Sequence, residues 1–239
     1  LEGWVPTEKA PAMEETLEKD GYFYQPLEIE EGDKVPILLK NGKFAKLYEP
    51  ITKMFSLPNY GEFDPTPFFA PFFMLFFGLC FGDGGYGLLM IIACTILKRK
   101  VNPDYKPYLS LFQYLGLATL IVGTLTGSFF GIALVDIPAF ASVKEYFVSS
   151  DNLMTFSIII GLVQILFGKT IAALKIMSQK GKKYGIAPLA WVFIILALCL
   201  VFGLPMLDVQ LPEVVKNIFL VIAGLGLLVA FLYNTPGKN

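Results

Sequence analysis

Long uncharged hydrophobic runs follow one another from residue 65 onward, separated by short charged segments. Between Pro65 and Lys98 the only charge is Asp83, which divides the run into two apolar halves of about 15 residues. A bilayer core of about 30 Å requires roughly 20 helical residues, so each half is short for a full crossing. Glycines crowd around Asp83 and favour a tight turn. We therefore predict a short helical hairpin, and one bent span is the alternative.

Four further runs are long enough to cross a bilayer as single helices. One of them contains a charge, Lys169, whose long side chain can reach the membrane interface. The predicted fold class is therefore membrane all-α, a polytopic bundle of about six transmembrane helices whose first two form the short hairpin. The predicted spans are 67–82, 84–98, 108–135, 152–174, 185–207 and 215–235.

The first 64 residues are polar and differ in charge from the rest of the chain. Residues 1–64 contain 13 acidic and 7 basic side chains, whereas residues 65–239 contain 7 and 12. In the polar part we expect a helix from Thr7 to about Lys19 and another within 44–55. Short extended segments are expected at residues 22–24 and 35–39. Because so few large apolar residues cannot form a core alone, we interpret this part as a small α/β remnant of a larger domain.

A dense group of turn-forming residues lies directly before the hairpin. Asp64 or Thr66 can supply an N-capping oxygen, and each is followed by a proline, Pro65 or Pro67, whose fixed φ suits the first helical position. We therefore expect a helix to begin here.

The distribution of Lys and Arg predicts the orientation in the membrane. Basic residues follow the second and fourth predicted spans, and short cytoplasmic loops accumulate such residues. They are Lys98, Arg99, Lys100, Lys106, Lys175, Lys180, Lys182 and Lys183. With a hairpin at Asp83, both basic loops fall on the same side as the N-terminus. We therefore expect a multi-pass protein with a cytoplasmic N-terminus.

Composition excludes several kinds of site. The chain has no histidine and three cysteines, all within apolar runs, so we expect no metal centre, no cofactor and no histidine-based catalytic group. No cluster of Lys and Arg marks the polar part, so we expect no nucleic acid partner. The glycines Gly82, Gly84 and Gly87 match a dinucleotide-binding pattern in spacing. We reject that interpretation, because the pattern requires a preceding strand and here a phenylalanine-rich apolar run precedes it.

Read as one unit, residues 57–87 resemble the membrane subunit of the V-type and A-type rotary ATPases, called subunit a or subunit I. The resemblance is carried by Pro58-Asn59-Tyr60-Gly61-Glu62-Phe63-Asp64-Pro65-Thr66-Pro67-Phe68, Leu75-Phe76-Phe77-Gly78-x-x-Phe81-Gly82-Asp83-x-Gly85-Tyr86-Gly87 and, later, Gly161-Leu162-Val163-Gln164-Ile165. Such a long compound pattern is specific. It implies that residues 1–64 are the end of a cytoplasmic stator domain.

The resemblance also implies function and partners. The family's subunit is fixed to a peripheral stalk and flanks a rotating ring of proteolipid subunits, past which H⁺ or Na⁺ moves during ATP hydrolysis or synthesis. A central stalk cap completes the implied partners, besides the lipid bilayer. The family's essential arginine faces the ring, but the only arginine here, Arg99, lies in a basic loop. The resemblance therefore implies that this chain lacks the ring-facing helices. The sequence contains no Gly-x-x-x-x-Gly-Lys-[Ser/Thr] motif, so we also expect no ATP site. The expected location is a bacterial or archaeal plasma membrane, or a vacuolar membrane in a eukaryote.

The sequence leaves several alternatives open. Asp83 either caps the hairpin or lines a water-filled cavity near the ion path, because a carboxylate facing lipid is costly. Gln113 and Gln164 are expected to form hydrogen bonds between helices. A secondary transporter or channel is the alternative function, and an integral membrane enzyme is a third. The choice between H⁺ and Na⁺, and between ATP synthesis and hydrolysis, stays open.

Overall fold

The computed structural model describes residues 2–30, 33, 35–60, 62–140, 147–207 and 209–234. Most of these residues are helical. The α-helices are α1 (Ala10–Lys19), α2 (Lys43–Lys46), α3 (Glu49–Phe55), α4 (Thr66–Phe81), α5 (Gly84–Leu97), α6 (Lys106–Thr126), α7 (Ser150–Lys180), α8 (Ile186–Gly203) and α9 (Glu213–Leu232), and the strands are β1 (Ser128–Phe129) and β2 (Ile132–Ala133). The chain forms two compact units, residues 1–124 with 128–132 and residues 125–127 with 133–239.

The polar N-terminal part of the first unit contains helices but no strand among its described residues. α1 begins at Ala10, three residues after the predicted cap Thr7, and Lys9 is its N-terminal neighbour without a side-chain cap. The predicted extended segments at 22–24 and 35–39 pair with no other described segment, so the α/β character of this part is not confirmed. The predicted helix within 44–55 is present as α2 and α3, divided at Leu47 and Tyr48.

α4 and α5 form the predicted hairpin. α4 ends at Phe81 because Gly82 adopts a left-handed backbone with φ of 52°. Asp83 then caps α5, its side chain accepting a hydrogen bond from the Tyr86 N–H. The turn is thus only two residues long, and three of the glycines that were expected to form it lie inside α5.

α6 packs against both helices of the hairpin. A Cβ on Gly78 of α4 would lie 2.9 Å from the backbone of Ala118, and a Cβ on Gly123 would lie only 1.8 Å from the backbone nitrogen of Gly84 in α5. At the other end of α5, Gln113 Nε2 donates to Thr95 Oγ1 over 2.7 Å. α5 and α6 are therefore antiparallel, and the hydrogen bond of Gln113 confirms the predicted interhelical role.

The third predicted span is too long at its C-terminal end. It was predicted to run from 108 to 135, but α6 ends at Thr126. Gly127 takes a φ of 69°, and the chain then forms the short ribbon of β1 and β2. The absence of charge, on which the prediction relied, does not distinguish a helix from a ribbon that is buried in part.

The second unit consists of three long apolar helices. α7 is longer than the predicted span 152–174, and α8 and α9 correspond to the spans predicted at 185–207 and 215–235. α8 and α9 are antiparallel, with Ala190, Ile194 and Ala230 buried between them. Small residues allow this close contact between apolar helices.

Among the described residues, four helical segments are long and apolar enough to span a membrane: 103–126, 151–180, 182–203 and 213–232. α4 and α5 are apolar but shorter, with 16 and 14 residues. This difference matches the prediction that the first two helices form a short hairpin. The structure therefore supports a membrane all-α protein with four long helices, and a count of six crossings stays a prediction.

Candidate functional site

Two groups of hydrogen bonds hold the ends of α4, and both involve residues of the motif that the sequence singles out. The first, which we call the Asp64 network, surrounds the start of the helix. Asp64 Oδ1 accepts from the Thr66 N–H over 2.8 Å and from Thr66 Oγ1 over 2.5 Å. Thr66 Oγ1 also lies 2.7 Å from Thr52 Oγ1 of α3. Asp64 therefore caps α4, and Thr66, which is fully buried, joins α4 to α3.

The Asp64 network extends to two further residues of the polar part. Asn41 Nδ2 donates to Asp64 Oδ2 over 2.6 Å and to Glu49 Oε1 over 3.1 Å. Glu49 lies in the first turn of α3, where a negative charge is favoured by the helix dipole. A single amide thus binds two carboxylates and ties the loop before α2 to α3 and α4.

A buried tyrosine completes the contact between the polar part and the membrane helices. The Tyr48 ring lies between Phe44, Phe69 and Phe73, with ring centroids 5.1, 6.4 and 6.1 Å away. Its side chain is fully buried, together with Leu111 and Leu115 of α6. The hydroxyl oxygen has no hydrogen-bond partner among the described residues. Burial raises the pKa of Tyr48 to about 12, because the charged phenolate would lose its hydration.

The second group, which we call the Asp83 network, surrounds the other end of α4. Asp83 Oδ1 accepts from the Tyr86 N–H over 3.1 Å and from the Phe130 N–H over 2.9 Å. Asp83 Oδ2 accepts from the Gly131 N–H over 2.7 Å and from Ser128 Oγ over 3.2 Å. The carboxylate is 6% exposed. Four donors therefore replace the water that it loses on burial.

At three glycines beside Asp83, neighbouring atoms leave no room for a side chain. A Cβ on Gly84 would lie 2.5 Å from the Phe129 ring, and one on Gly85 would lie 2.6 Å from the Phe130 ring. A Cβ on Gly87 would lie 2.7 Å from the Gly116 carbonyl of α6. The row of glycines thus lets two aromatic rings of the ribbon and the backbone of α6 pack directly on α5, beside the Asp83 hydrogen bonds.

Phe130 is held in an unusual backbone conformation by the same contacts. Its φ of 54° is the only positive value at a non-glycine residue in the described part of the chain, and a side chain of this size costs about 1 kcal/mol or more there. Its ring packs against Tyr86 at 5.6 Å between centroids. The hydrogen bond from its N–H to Asp83 therefore offsets local strain.

The Asp64 and Asp83 carboxylates are fully engaged in these networks. Neither Asp64 nor Asp83 directs an oxygen without a described partner toward an open cavity. A general acid, an ion ligand or a nucleophile needs a reactive lone pair that a substrate can reach. The geometry therefore suits a structural role: each network fixes where α4 begins or ends.

Neither network contains a hydrogen bond of Pro65, Pro67 or Gln164, which the sequence also singles out. Pro65 and Pro67 flank Thr66 at the start of α4 and are exposed, as helix-initiating prolines often are. Gln164 lies on α7 in the second unit, half-buried, and forms no hydrogen bond with another described residue. Its predicted interhelical role therefore has no support among the described residues.

Several members of the two networks were not predicted from the sequence. Ser128, Phe130 and Gly131 fell inside the predicted span 108–135, and Asn41 and Glu49 were not predicted to contact Asp64. One signal was available for the ribbon: two glycines four residues apart, Gly127 and Gly131, both with positive φ. They lie in an uncharged run longer than a bilayer requires, which is where a helix can end early.

The first part of the chain matches a known protein family. Residues 1–106 match the model of the V-type ATPase 116kDa subunit family. This region includes α1 to α5 and therefore the motif segments at 58–68 and 75–87, but not the segment at 161–165.

Individual relatives extend the similarity along the rest of the chain. The A-type ATP synthase subunit I of Methanothermobacter thermautotrophicus is 31% identical over 183 residues, which cover 72% of this chain and 28% of that protein. The corresponding subunit of Pyrococcus horikoshii is 29% identical over 243 residues, covering 95% and 35%. The V-type ATP synthase subunit I of Borreliella burgdorferi is 26% identical over 208 residues, covering 83% and 34%. The chain thus spans about a third of the length of these relatives.

Proposed function

Because the chain belongs to the V-type ATPase 116kDa subunit family, we propose that it is the anchoring part of the membrane stator subunit of a V/A-type rotary ATPase. In this role it connects the cytoplasmic stator domain to the membrane while H⁺ or Na⁺ moves elsewhere in the complex. Ion movement is coupled there to ATP hydrolysis or synthesis. The relatives' names support the class of complex, since each is a subunit I of an ATP synthase.

One observation carries this proposal: the family motif forms rigid connections at both ends of α4. The Asp64 network and Tyr48 hold the polar part against α4 and α6. The Asp83 network holds the turn of the hairpin against the ribbon. A stator must resist the torque of a rotor, and short hydrogen bonds with buried packing on both sides provide such resistance.

For Asp83 we propose the structural alternative and not the ion-path alternative. Its four hydrogen bonds disfavour ion exchange at the carboxylate, because releasing donors from a buried carboxylate costs free energy. We further propose that the ring-facing helices and the essential arginine lie outside these 239 residues. Arg99, the single arginine, is exposed in the loop after α5.

The partners and orientation follow from the same proposal. The peripheral stalk, the central stalk cap and the proteolipid ring would contact this subunit in the complete enzyme. The basic loops at 98–106 and 175–183 support a cytoplasmic N-terminus. A secondary transporter is less well supported, because the break at Gly82 and Asp83 is closed by α6 and the ribbon and leaves no half-helix ends around a site.

An ion-flux assay tests the proposed function. The purified chain is reconstituted in liposomes under an imposed pH or Na⁺ gradient, and flux is compared with that of protein-free vesicles. We expect no sustained flux, because no Lys or Arg is buried among the described residues and the buried Asp83 carboxylate already accepts four hydrogen bonds. A saturable flux that disappears in Asp83→Asn would contradict the proposal and support the ion-path role. In the assembled ATPase, Arg99→Lys is expected to keep full ATP-driven pumping, whereas a loss of pumping would identify Arg99 as functional.

A further inference from the structure

One end of the α4, α5 and α6 bundle carries a concentration of positive charge. Lys98, Arg99, Lys100 and Lys106, which we call the basic patch, lie between the end of α5 and the start of α6. The Thr95 to Gln113 hydrogen bond brings these two helix ends together. Four cations within nine residues are therefore gathered at one level of the bundle.

The basic patch is not neutralised within the part of the chain that the structure describes. Its four cations form no ion pair with a described acidic residue, and Asp104 is the only acid in the same loop. Lys98 Nζ donates to Gln113 Oε1, which fixes one cation at the junction of α5 and α6. Arg99, Lys100 and Lys106 are exposed.

The helix dipole acts on the basic patch where α5 ends. Lys98, Arg99 and Lys100 follow the C-terminus of α5, where a cation is favoured. Lys106 is the first residue of α6 and follows directly on a 3-10 turn, Pro103–Tyr105, which contains Asp104. The helix dipole therefore favours cations on the α5 side of the patch, and Asp104 supplies the acidic side chain at the start of the other helix.

The patch lies directly after the exposed apolar surface of α5. Lys98 follows Leu97, the last residue of α5, and three residues span about 5 Å along a helix. The outer face of α5 is apolar up to this point, with exposed Leu88, Leu89, Ile92, Ile96 and Leu97. Tyr105 and Tyr108, which are 61% and 47% exposed, flank the patch. Exposed tyrosines at one level are typical of a membrane interface.

We propose that the basic patch binds the phosphate headgroup of an anionic phospholipid, whose acyl chains lie along the exposed apolar face of α5. The phosphate accepts hydrogen bonds from Arg99, Lys100 and Lys106, and Tyr105 and Tyr108 lie at the headgroup level. The adjacent apolar face selects a lipid over a free phosphate, because only the lipid covers that face. Clustered Lys and Arg at a helix end each add about 1 kcal/mol of attraction to an anionic lipid surface.

Native mass spectrometry of the full chain in detergent tests the proposal. The chain is titrated with dioleoylphosphatidylglycerol, dioleoylphosphatidylcholine or glycerol 3-phosphate, and the bound molecules are counted. We expect the phosphatidylglycerol to bind at least tenfold more tightly than the phosphatidylcholine. The triple substitution of Arg99, Lys100 and Lys106 by Gln should reduce that preference at least tenfold, since one cation contributes about fivefold. It spares Lys98 and its hydrogen bond with Gln113.

Two control variants make the result specific. Replacing Lys9, Lys19 and Lys43 by Gln removes the same charge from exposed positions in the polar part and should leave the preference unchanged. Exchanging Arg99→Lys and Lys100→Arg keeps the charge and should keep the preference. An unchanged preference in the triple variant, or an equal loss in the Lys9, Lys19 and Lys43 variant, would overturn the proposal. So would binding of glycerol 3-phosphate as tight as that of the lipid, because the site would then recognise phosphate alone.

Discussion

The two ends of α4 hold their carboxylates by different means. Asp64 is bound by the N–H and hydroxyl of Thr66, two residues away, and by the Asn41 side chain. Asp83 is bound mostly by donors 45 to 48 residues away along the chain. The start of the helix is thus specified largely by neighbouring sequence, and its end by tertiary structure. Substitutions at the Asp83 end should therefore disrupt more of the molecule.

The largest effect is expected from Gly123→Leu, which separates α5 from α6. Because a Cβ at this position overlaps the backbone of Gly84, the helices cannot approach and the Asp83 network cannot form. We expect a loss of more than about 4 kcal/mol, enough to prevent folding of the first unit. Thermal unfolding in detergent, followed by size-exclusion chromatography, measures it. Gly224→Leu is the matched control, since a Cβ there meets no atom within 4 Å; similar midpoints for the two variants would contradict the close contact.

A smaller but substantial loss is expected from Asp83→Ala. The substitution leaves the Phe130 and Gly131 N–H groups without their acceptor, at a cost of roughly 2 to 5 kcal/mol. Amide exchange should increase at residues 128–131. Asp83→Asn should lose less, because its remaining oxygen still accepts. Asp136→Ala removes an exposed aspartate of the second unit and serves as control; unchanged exchange in the ribbon of the Asp83→Ala variant would refute the network.

Asp64→Ala should cost less than Asp83→Ala and should act elsewhere. A lost helix cap costs about 1 to 2 kcal/mol, and Asp64 is only half-buried. Exchange should increase in α3 and the first turn of α4, while residues 128–131 keep their protection. The comparison between the two ends would fail if both substitutions increased exchange in the same segments.

The smallest effect at neutral pH is expected from Tyr48→Phe. The ring packing is kept and an unpartnered buried hydroxyl is removed, so stability should stay equal or increase by up to about 1 kcal/mol. At high pH the two proteins should diverge. Because the folded phenol has a pKa of about 12 and the unfolded one about 10, only the unfolded state loses its proton between these values.

The wild type should therefore lose stability as the pH rises from 10 to 12, by up to about 2 to 3 kcal/mol from Tyr48 alone. Tyr48→Phe lacks this contribution, and Tyr22→Phe, at an exposed tyrosine, is the control. Parallel stability curves for wild type and Tyr48→Phe above pH 10 would show that the phenol is not buried in the folded protein.

The features that could be predicted from the sequence depend on residues that lie close together in the chain. The start of α4 at Thr66 and its end at Gly82 follow from a capping aspartate, two prolines and a glycine with positive φ. The division of the apolar run at Asp83 follows from its length against the width of a bilayer. These signals act over one helical turn, so they are visible in the sequence.

The partners of Asp83 and Tyr48 could not be predicted in the same way. Ser128, Phe130 and Gly131 reach Asp83 only after α6 has packed on α5, and the uncharged run through them indicates a longer helix. Tyr48 resembles other tyrosines of the polar part in its sequence context, and its burial depends on α4 and α6. Neither set of contacts can be recognised from residues that are close together in the sequence.

The long separation within the Asp83 network also has a consequence for biosynthesis. The residues that bind Asp83 lie up to 48 positions later in the chain. At a synthesis rate of about 5 to 20 residues per second, Asp83 is made roughly 2 to 10 seconds before Gly131 exists. During that interval the carboxylate has only the Tyr86 N–H from its own hairpin. The new hairpin must therefore wait in an environment that hydrates Asp83, such as a protein-lined insertion site, until α6 and the ribbon arrive.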